Sequence, residues 1–235
     1  MNTTRIFLAT GWKSSDILRA QELWKLGVDV GLCLNPYYTS KNLIDLAACT
    51  GLPIMVDNGA YQAWKSGTEP DWDKAVALAE ELNAEYIVAL DKIGDPEESL
   101  GLSLEVFGST DVEKIVPFHA ITLGPNNQRQ IKRHLRLMID NGVRVVGMPL
   151  PASDACGHKA FAISCMWIVP TRCHALGFTF DEKYMNSFKY FDSVDSSARW
   201  VENRKADAEG IRDYVIQSLK PEDRIEDARK WFSVN

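Results

Sequence analysis

Three carboxylates stand where short apolar runs end: Asp57 after Pro53-Ile54-Met55-Val56, Asp91 after Tyr86–Leu90, and Asp195 after Phe191–Val194. Asn35, His119 and Gly147 close three further runs of the same kind. Paired carboxylates are the groups that break glycosidic bonds, one as nucleophile and the other as acid and base. Three carboxylates with a histidine are equally the donor set of a divalent metal site.

The densest of these segments is Val56-Asp57-Asn58-Gly59-Ala60-Tyr61-Gln62. An acid at a strand end is followed by an Asn-Gly turn, which lets backbone approach a ligand closely, then by an aromatic that can stack on a planar ring and an amide. The same spacing also serves an ordinary strand-to-helix turn in which Asp57 caps the next helix. Asp91 is followed by Lys92-Ile93-Gly94-Asp95-Pro96-Glu97-Glu98-Ser99. There Asp95 reads as a helix cap with Pro96 at the first helical position, which leaves Asp91 unexplained. A carboxylate at that place can accept from an N–H/NH2 edge such as that of guanine. In Phe191-Asp192-Ser193-Val194-Asp195-Ser196-Ser197, Asp195 is expected at the strand's C-terminal end and Asp192 lower down.

The elements that must position these residues follow from a recurring rhythm. Eight β-rich runs can be read, at 5–11, 29–35, 53–57, 85–91, 114–119, 143–148, 173–177 and 191–195. Between several of them lie segments with helical spacing. Ser15–Leu26 is predicted as a helix capped by Ser14 and stopped by Gly27. Asp71–Asn83 sets Trp72, Ala75, Leu78, Ala79 and Leu82 on one stripe. Asn126–Asn141 sets Ile131, Leu135, Leu137 and Met138 inward, and a less regular helix is expected around Ala155–Ile168. Strands alternating with helices make parallel βαβ units, and eight of them predict an α/β fold, a closed (β/α)8 TIM barrel. The expected organisation is one domain over 1–235, with 196–235 as a helical segment packed on the barrel. In such barrels chemistry sits at the C-terminal ends of the strands, the ends at which the residues above fall.

Bulk composition narrows the function classes. The chain has 235 residues, 46% hydrophobic and 25% charged, which is ordinary for a globular protein. No apolar run approaches the length of a membrane span and no signal-peptide pattern opens the chain, so a cytoplasmic location is expected. Five cysteines (Cys33, Cys49, Cys156, Cys165, Cys173) without C-x-x-C spacing argue against disulfides and a cysteine-rich zinc site. A net charge of −6 weighs against a large nucleic-acid footprint but leaves room for a local basic rim. The basic stretch with Arg129, Lys132, Arg133, His134 and Arg136 can hold phosphates or stand as a solvated helix face.

Taken in order, three segments resemble the tRNA-guanine transglycosylase superfamily. Val56–Gln62 looks like that family's D-S-G-G-[FY]-Q turn. Ala89–Asp91, with the Gly-Asp-Pro-Glu-Glu-Ser run after it, is similar to the segment of its guanine-reading aspartate. Phe191–Ser196 is similar to its x-D-[LM]-F-D-[SC] segment, whose second aspartate is the nucleophile. Leu34-Asn35-Pro36-Tyr37 is similar to the family's N-T-Y at the end of strand two.

The departures are specific. No cysteine follows Cys173 and no histidine follows His174, so the family's zinc site is absent. His119 stands where a glutamine-glycine motif is expected, and Gly147-Met148 replaces a di-glycine. A small zinc-free chain is most similar to the 7-deazaguanine DNA transglycosylase branch, found in phages and bacterial DNA-modification clusters.

The resemblance implies a transferase that exchanges guanine in DNA, or alternatively tRNA, for a 7-deazaguanine such as preQ0. It implies Asp195 as nucleophile and Asp57 as acid and base. Asp91 would read the base edge and Tyr61 stack on it, with Asn35, Asn58, Gly59, Gln62, His119 and Gly147 lining the pocket. It implies no cofactor, no metal and no membrane. A homodimer stays open, as do a metal-dependent hydrolase using Asp57, Asp91, Asp195 and His119, and a non-catalytic nucleic-acid-binding member.

Overall fold

The computed structural model describes residues 4–10, 13–119, 128–149, 171–178 and 191–197. Its strands are β1 (Arg5–Ala9), β2 (Val30–Leu34), β3 (Ile54–Val56), β4 (Tyr86–Val88), β5 (Glu113–Pro117), β6 (Val145–Pro149), β7 (Arg172–Leu176) and β8 (Ser193–Ser197). All pair in parallel with their chain neighbours, and β8 returns to β1, with Phe7 opposite Asp195, to close an eight-stranded barrel. The described helices are α1 (Ser14–Lys25), α2 (Lys41–Ala48), α3 (Ala60–Ser66), α4 (Trp72–Glu81), α5 (Pro96–Glu105) and α6 (Gln128–Asp140). The TIM-barrel fold expected from the sequence is therefore the fold of the chain. Among the described residues no helix is long and apolar enough to cross a membrane.

Strand residues alternate between two apolar compartments, as the period of two requires. Ile6 and Leu8, Leu32 and Leu34, and Ile54 and Val56 belong to the large core under the helices, with Ile17, Ala20 and Leu23 of α1 and Ala75, Leu78 and Ala79 of α4. Phe7, Cys33, Met55, Tyr86, Val88, Ile115 and Val145 form a smaller cluster inside the barrel. The first residues of the strands close its floor with ion pairs. Arg5 reaches Asp29 (2.7 Å) and Glu85 (2.5 Å), and Arg172 reaches Glu113 (3.1 Å) and the Tyr86 hydroxyl (2.6 Å). The candidate carboxylates lie above this floor, toward the opposite end.

Local signals account for several helix ends. Asp95 caps α5 by accepting from the Glu98 N–H (3.0 Å), with Pro96 at the start, and Asp71 caps α4 by accepting from Lys74 N–H (3.0 Å). Two expectations are corrected. Ser14 is the first residue of α1, not its cap; Lys13 takes that place and offers no side-chain acceptor. In α6, Leu135 and Met138 are buried as expected, but Leu137 is 45% exposed. Leu137 lies about 200° round the helix from Leu135, at 100° per residue, and so falls on the solvent side. The Ile131 side chain, the expected helix around 155–168 and nearly all of 196–235 lie outside the described residues.

Candidate active site

The carboxylates sit in three hydrogen-bonded groups at the upper end of the barrel. The first is centred on Asp57, one residue past β3. Asn35, one residue past β2, donates from Nδ2 to Asp57 Oδ2 (2.7 Å) and to Gln62 Oε1 (3.1 Å). Asn35 is held in turn by the Tyr37 N–H, which donates to its Oδ1 (2.9 Å). The Gly59 N–H makes a long contact to Asp57 Oδ1 (3.4 Å). Helix α3 has Gly59 at its N-cap and no side-chain cap, so Asp57 does not serve as one. Asn58 Oδ1 accepts from the Ala60 N–H (2.8 Å) and braces the turn.

Gly59 has a physical reason that the sequence does not display. Its φ is +73°, a region that strains any side chain. A Cβ built there would also run into the Tyr37 ring. The glycine admits an aromatic ring of the chain itself at this turn.

The second group joins Asn58, Asp91 and His119. Asn58 is buried and donates from Nδ2 to the Ala89 carbonyl (2.6 Å) and to Asp91 Oδ1 (2.8 Å). His119 Nε2 lies 2.7 Å from Asp91 Oδ2. A carboxylate accepts, so Nε2 carries the proton in this pair. Asp91 and His119 are 9% and 6% exposed. Asp91 is therefore oriented from both oxygens, each of which keeps a second lone pair for a ligand.

The third group contains a residue the sequence reading passed over. His174, in the middle of β7, is fully buried. Its Nε2 is 3.1 Å from Asp195 Oδ1 and its Nδ1 is 2.7 Å from Ser193 Oγ. The Gly177 N–H donates to the same Asp195 Oδ1 (2.9 Å). One oxygen of Asp195 is thus clamped by two donors, and Oδ2 makes no hydrogen bond among the described residues. Asp195 is third in β8, not at its end as expected, because the ladder with β1 continues to Ser197. The stagger of a closed barrel still brings a mid-strand residue level with the ends of other strands. Asp192 lies below, where its Oδ2 accepts from the Cys173 N–H (2.7 Å) at the start of the strand, as the sequence suggested for it.

The three groups share one field. Burial, then the charge of Asp195, raise the Asp57 carboxyl from 3.8 to about 6, with a smaller push from Asp91 and an opposing pull from the Asn35 and Gly59 hydrogen bonds. Burial, followed by the charges of Asp195 and Asp57, also pushes the Cys33 thiol well up, and Cys33 belongs to the cluster inside the barrel. Cys33 and His174 were both within reach of the sequence. Side chains at alternate strand positions face the interior, and each stands two residues from another inward-facing position on its strand.

Two expected pocket residues stand outside these groups. Tyr61 lies in the first turn of α3, 52% exposed, with its ring 6.0 Å from that of Trp64 and Lys65 Nζ 5.4 Å from its centroid. Gly147 lies in β6 opposite Pro117 and His174. A Cβ there would come within 2.7 Å of Ile115 and 2.9 Å of Leu176, so its smallness serves interior packing. Among the described residues no three His, Cys, Asp or Glu side chains converge closely enough to hold a metal ion. The chain matches no protein-family model, and no curated protein is significantly similar to it in sequence.

Proposed function

We propose that this barrel exchanges a purine base on a nucleic acid, replacing guanine with a 7-deazaguanine such as preQ0 through an aspartyl-glycosyl intermediate. The observation that carries the reading is the unlike treatment of two neighbouring carboxylates. Asp57 is held toward its protonated form, while Asp195 is clamped at Oδ1 by His174 and Gly177, with no hydrogen bond to Oδ2 among the described residues. Two carboxylates whose environments separate an acid from a nucleophile are what glycosidic chemistry needs.

In this mechanism Asp195 Oδ2 attacks C1′ of the target nucleotide and the C1′–N9 bond breaks. The departing guanine takes the proton of Asp57. The incoming base then loses its N9 proton to Asp57, and N9 attacks C1′ and displaces Asp195. Two displacements leave the configuration retained. Asp91, oriented by Asn58 and His119, offers its remaining lone pairs to the N–H edge of the base, and Tyr61 is the stacking side chain at the rim. DNA is the favoured acceptor because the chain carries no counterpart of the tRNA enzymes' zinc-binding cysteines. A duplex would present the nucleotide flipped out, at a cost of a few kcal/mol.

The metal-hydrolase reading receives less support, since Asp91, Asp195 and Asp57 are each engaged by a different partner. The test is a base-exchange assay with duplex DNA, and separately tRNA, plus preQ0, the nucleosides then being analysed by mass spectrometry. A modified deoxynucleoside that disappears in Asp57→Ala and Asp195→Ala is expected. A modified ribonucleoside would move the substrate to RNA. Chelator-sensitive hydrolysis without incorporation would replace the reading with the metal-dependent one.

A further inference from the structure

Arg129, Lys132, Arg133 and Arg136 are all exposed on α6. Their spacing of i, i+3, i+4 and i+7 confines them to an arc of about 100°, a straight stripe about 10 Å long. The stripe lies opposite the buried face of α6, which carries Leu135 and Met138 at 1% exposure each. These four residues, with Leu137 and Asp140, line a surface depression of about 760 Å³. Since α6 follows β5, the helix starts at the end of the barrel that holds His119, so Arg129 is the one of the four nearest that end.

The stripe sets four cations on one helix face of a chain of net charge −6. Elsewhere several cations are ion-paired, Arg5 with Asp29 and Glu85, Lys41 with Asp45 and Glu81, Lys92 with Glu98, and Arg172 with Glu113, while those without an ion pair among the described residues, such as Lys13, Lys25 and Lys74, are scattered over different segments. None of the four on α6 forms an ion pair among the described residues, and like charges at these spacings repel along a helix. A linear run of three guanidiniums and an ammonium fits a linear array of phosphates, to which arginine binds through two parallel N–H donors. A membrane surface fits less well, because such a helix inserts its apolar face and that face of α6 is buried in the protein.

We infer that the α6 stripe is the phosphate-binding track for the nucleic-acid substrate, guiding its backbone up to the rim of the barrel. The inference rests on the base-exchange reading for the identity of the polyanion, yet it can stand or fall separately.

The test is the binding of a fluorescently labelled duplex DNA to the full chain, by anisotropy, across a salt series without any free base. The comparison is the fourfold variant Arg129→Gln/Lys132→Gln/Arg133→Gln/Arg136→Gln, with Lys25→Gln/Lys41→Gln as a control for the loss of exposed cations outside the stripe. The fourfold variant is expected to bind roughly tenfold or more weakly and to lose about 3 from the slope of log K against log salt, while the control keeps the slope. Acetylation of Lys132 in the wild-type protein provides a readout that needs no variant: duplex is expected to protect Lys132 and not Lys25 or Lys41.

Equal binding by wild type and fourfold variant, or no protection of Lys132, overturns the track. Stripe-dependent binding to anionic vesicles or an acidic protein in place of nucleic acid overturns it too. Stripe-dependent DNA binding with no base exchange keeps the track and removes the transglycosylase reading. Exchange that proceeds equally in the fourfold variant keeps the reading and removes the track.

Discussion

At the scale of single residues, the account depends on how Asp57 and Asp195 differ. The folded protein holds the Asp57 carboxyl at about 6 against an ordinary 3.8, so folding favours its protonated form. Stability tied to that preference is fully present below the ordinary value and is lost as pH rises through about 6. At pH 8 the ionised, partly buried carboxylate then costs about 1–3 kcal/mol. Asp57→Asn is expected to raise the urea midpoint at pH 8, with the gain shrinking toward pH 4.5; an equal gain at both values would mean the carboxyl is not raised. In the proposed base exchange the same carboxyl is the acid of the free protein, so kcat/KM for exchange is expected to fall as pH rises through about 6. For Asp195 the decisive neighbour is His174. Removing one hydrogen bond to a charged carboxylate lowers kcat by roughly 10–100-fold. His174→Ala is expected to do so with KM little changed, and a large rise in KM at constant kcat would instead make His174 a binding residue.

At the scale of elements, the turn from β3 into α3 sets the site, and Gly59 is its tightest point. Gly59→Ala combines a positive φ with a collision against Tyr37. A loss of about 1–3 kcal/mol is expected, larger than for an ordinary surface change. A neutral result in thermal unfolding would show that Tyr37 moves aside without cost. Asp95→Ala removes a cap and is expected to cost about 1 kcal/mol. These two positions also show what could be read in the sequence. Asp95-Pro96 is local chemistry and was legible as a cap. The helical stripe of α4 was legible for the same reason, since 3.6-residue periodicity lies within one segment. The need for Gly59 is set by Tyr37, 22 positions earlier, so the sequence marked the glycine without its cause. His174 was missed because a short strand, Arg172–Leu176, carries no motif, and its partner Asp195 lies on another strand. The expected end of β8 was misplaced because ladder pairing with β1, not local composition, decides where that strand stops.

At the scale of the whole molecule, a closed barrel divides its labour between two ends. Ion pairs of Arg5 and Arg172 seal the floor, an apolar cluster around Phe7 fills the middle beside Asp195 and His174, and Asp57, Asp91 and His119 follow the ends of their strands at the top. The eightfold rhythm of strand-ending polar residues was enough to reach this architecture and to pick Asn35, Asp57, Asp91, His119 and Asp195 as neighbours at one end. It was not enough to sort them into the three groups, because those pairings cross from strand to strand. In the proposed mechanism Asp195 becomes covalently attached to C1′ of the nucleotide sugar. The most direct measurement is intact mass of the protein after incubation with guanine-containing duplex DNA, without an incoming base, followed by denaturation and peptide mapping. A nucleic-acid adduct is expected on the peptide carrying Asp195, absent in Asp195→Ala and released on adding preQ0. No adduct under conditions where the protein binds the duplex, or an adduct on another residue, would contradict it.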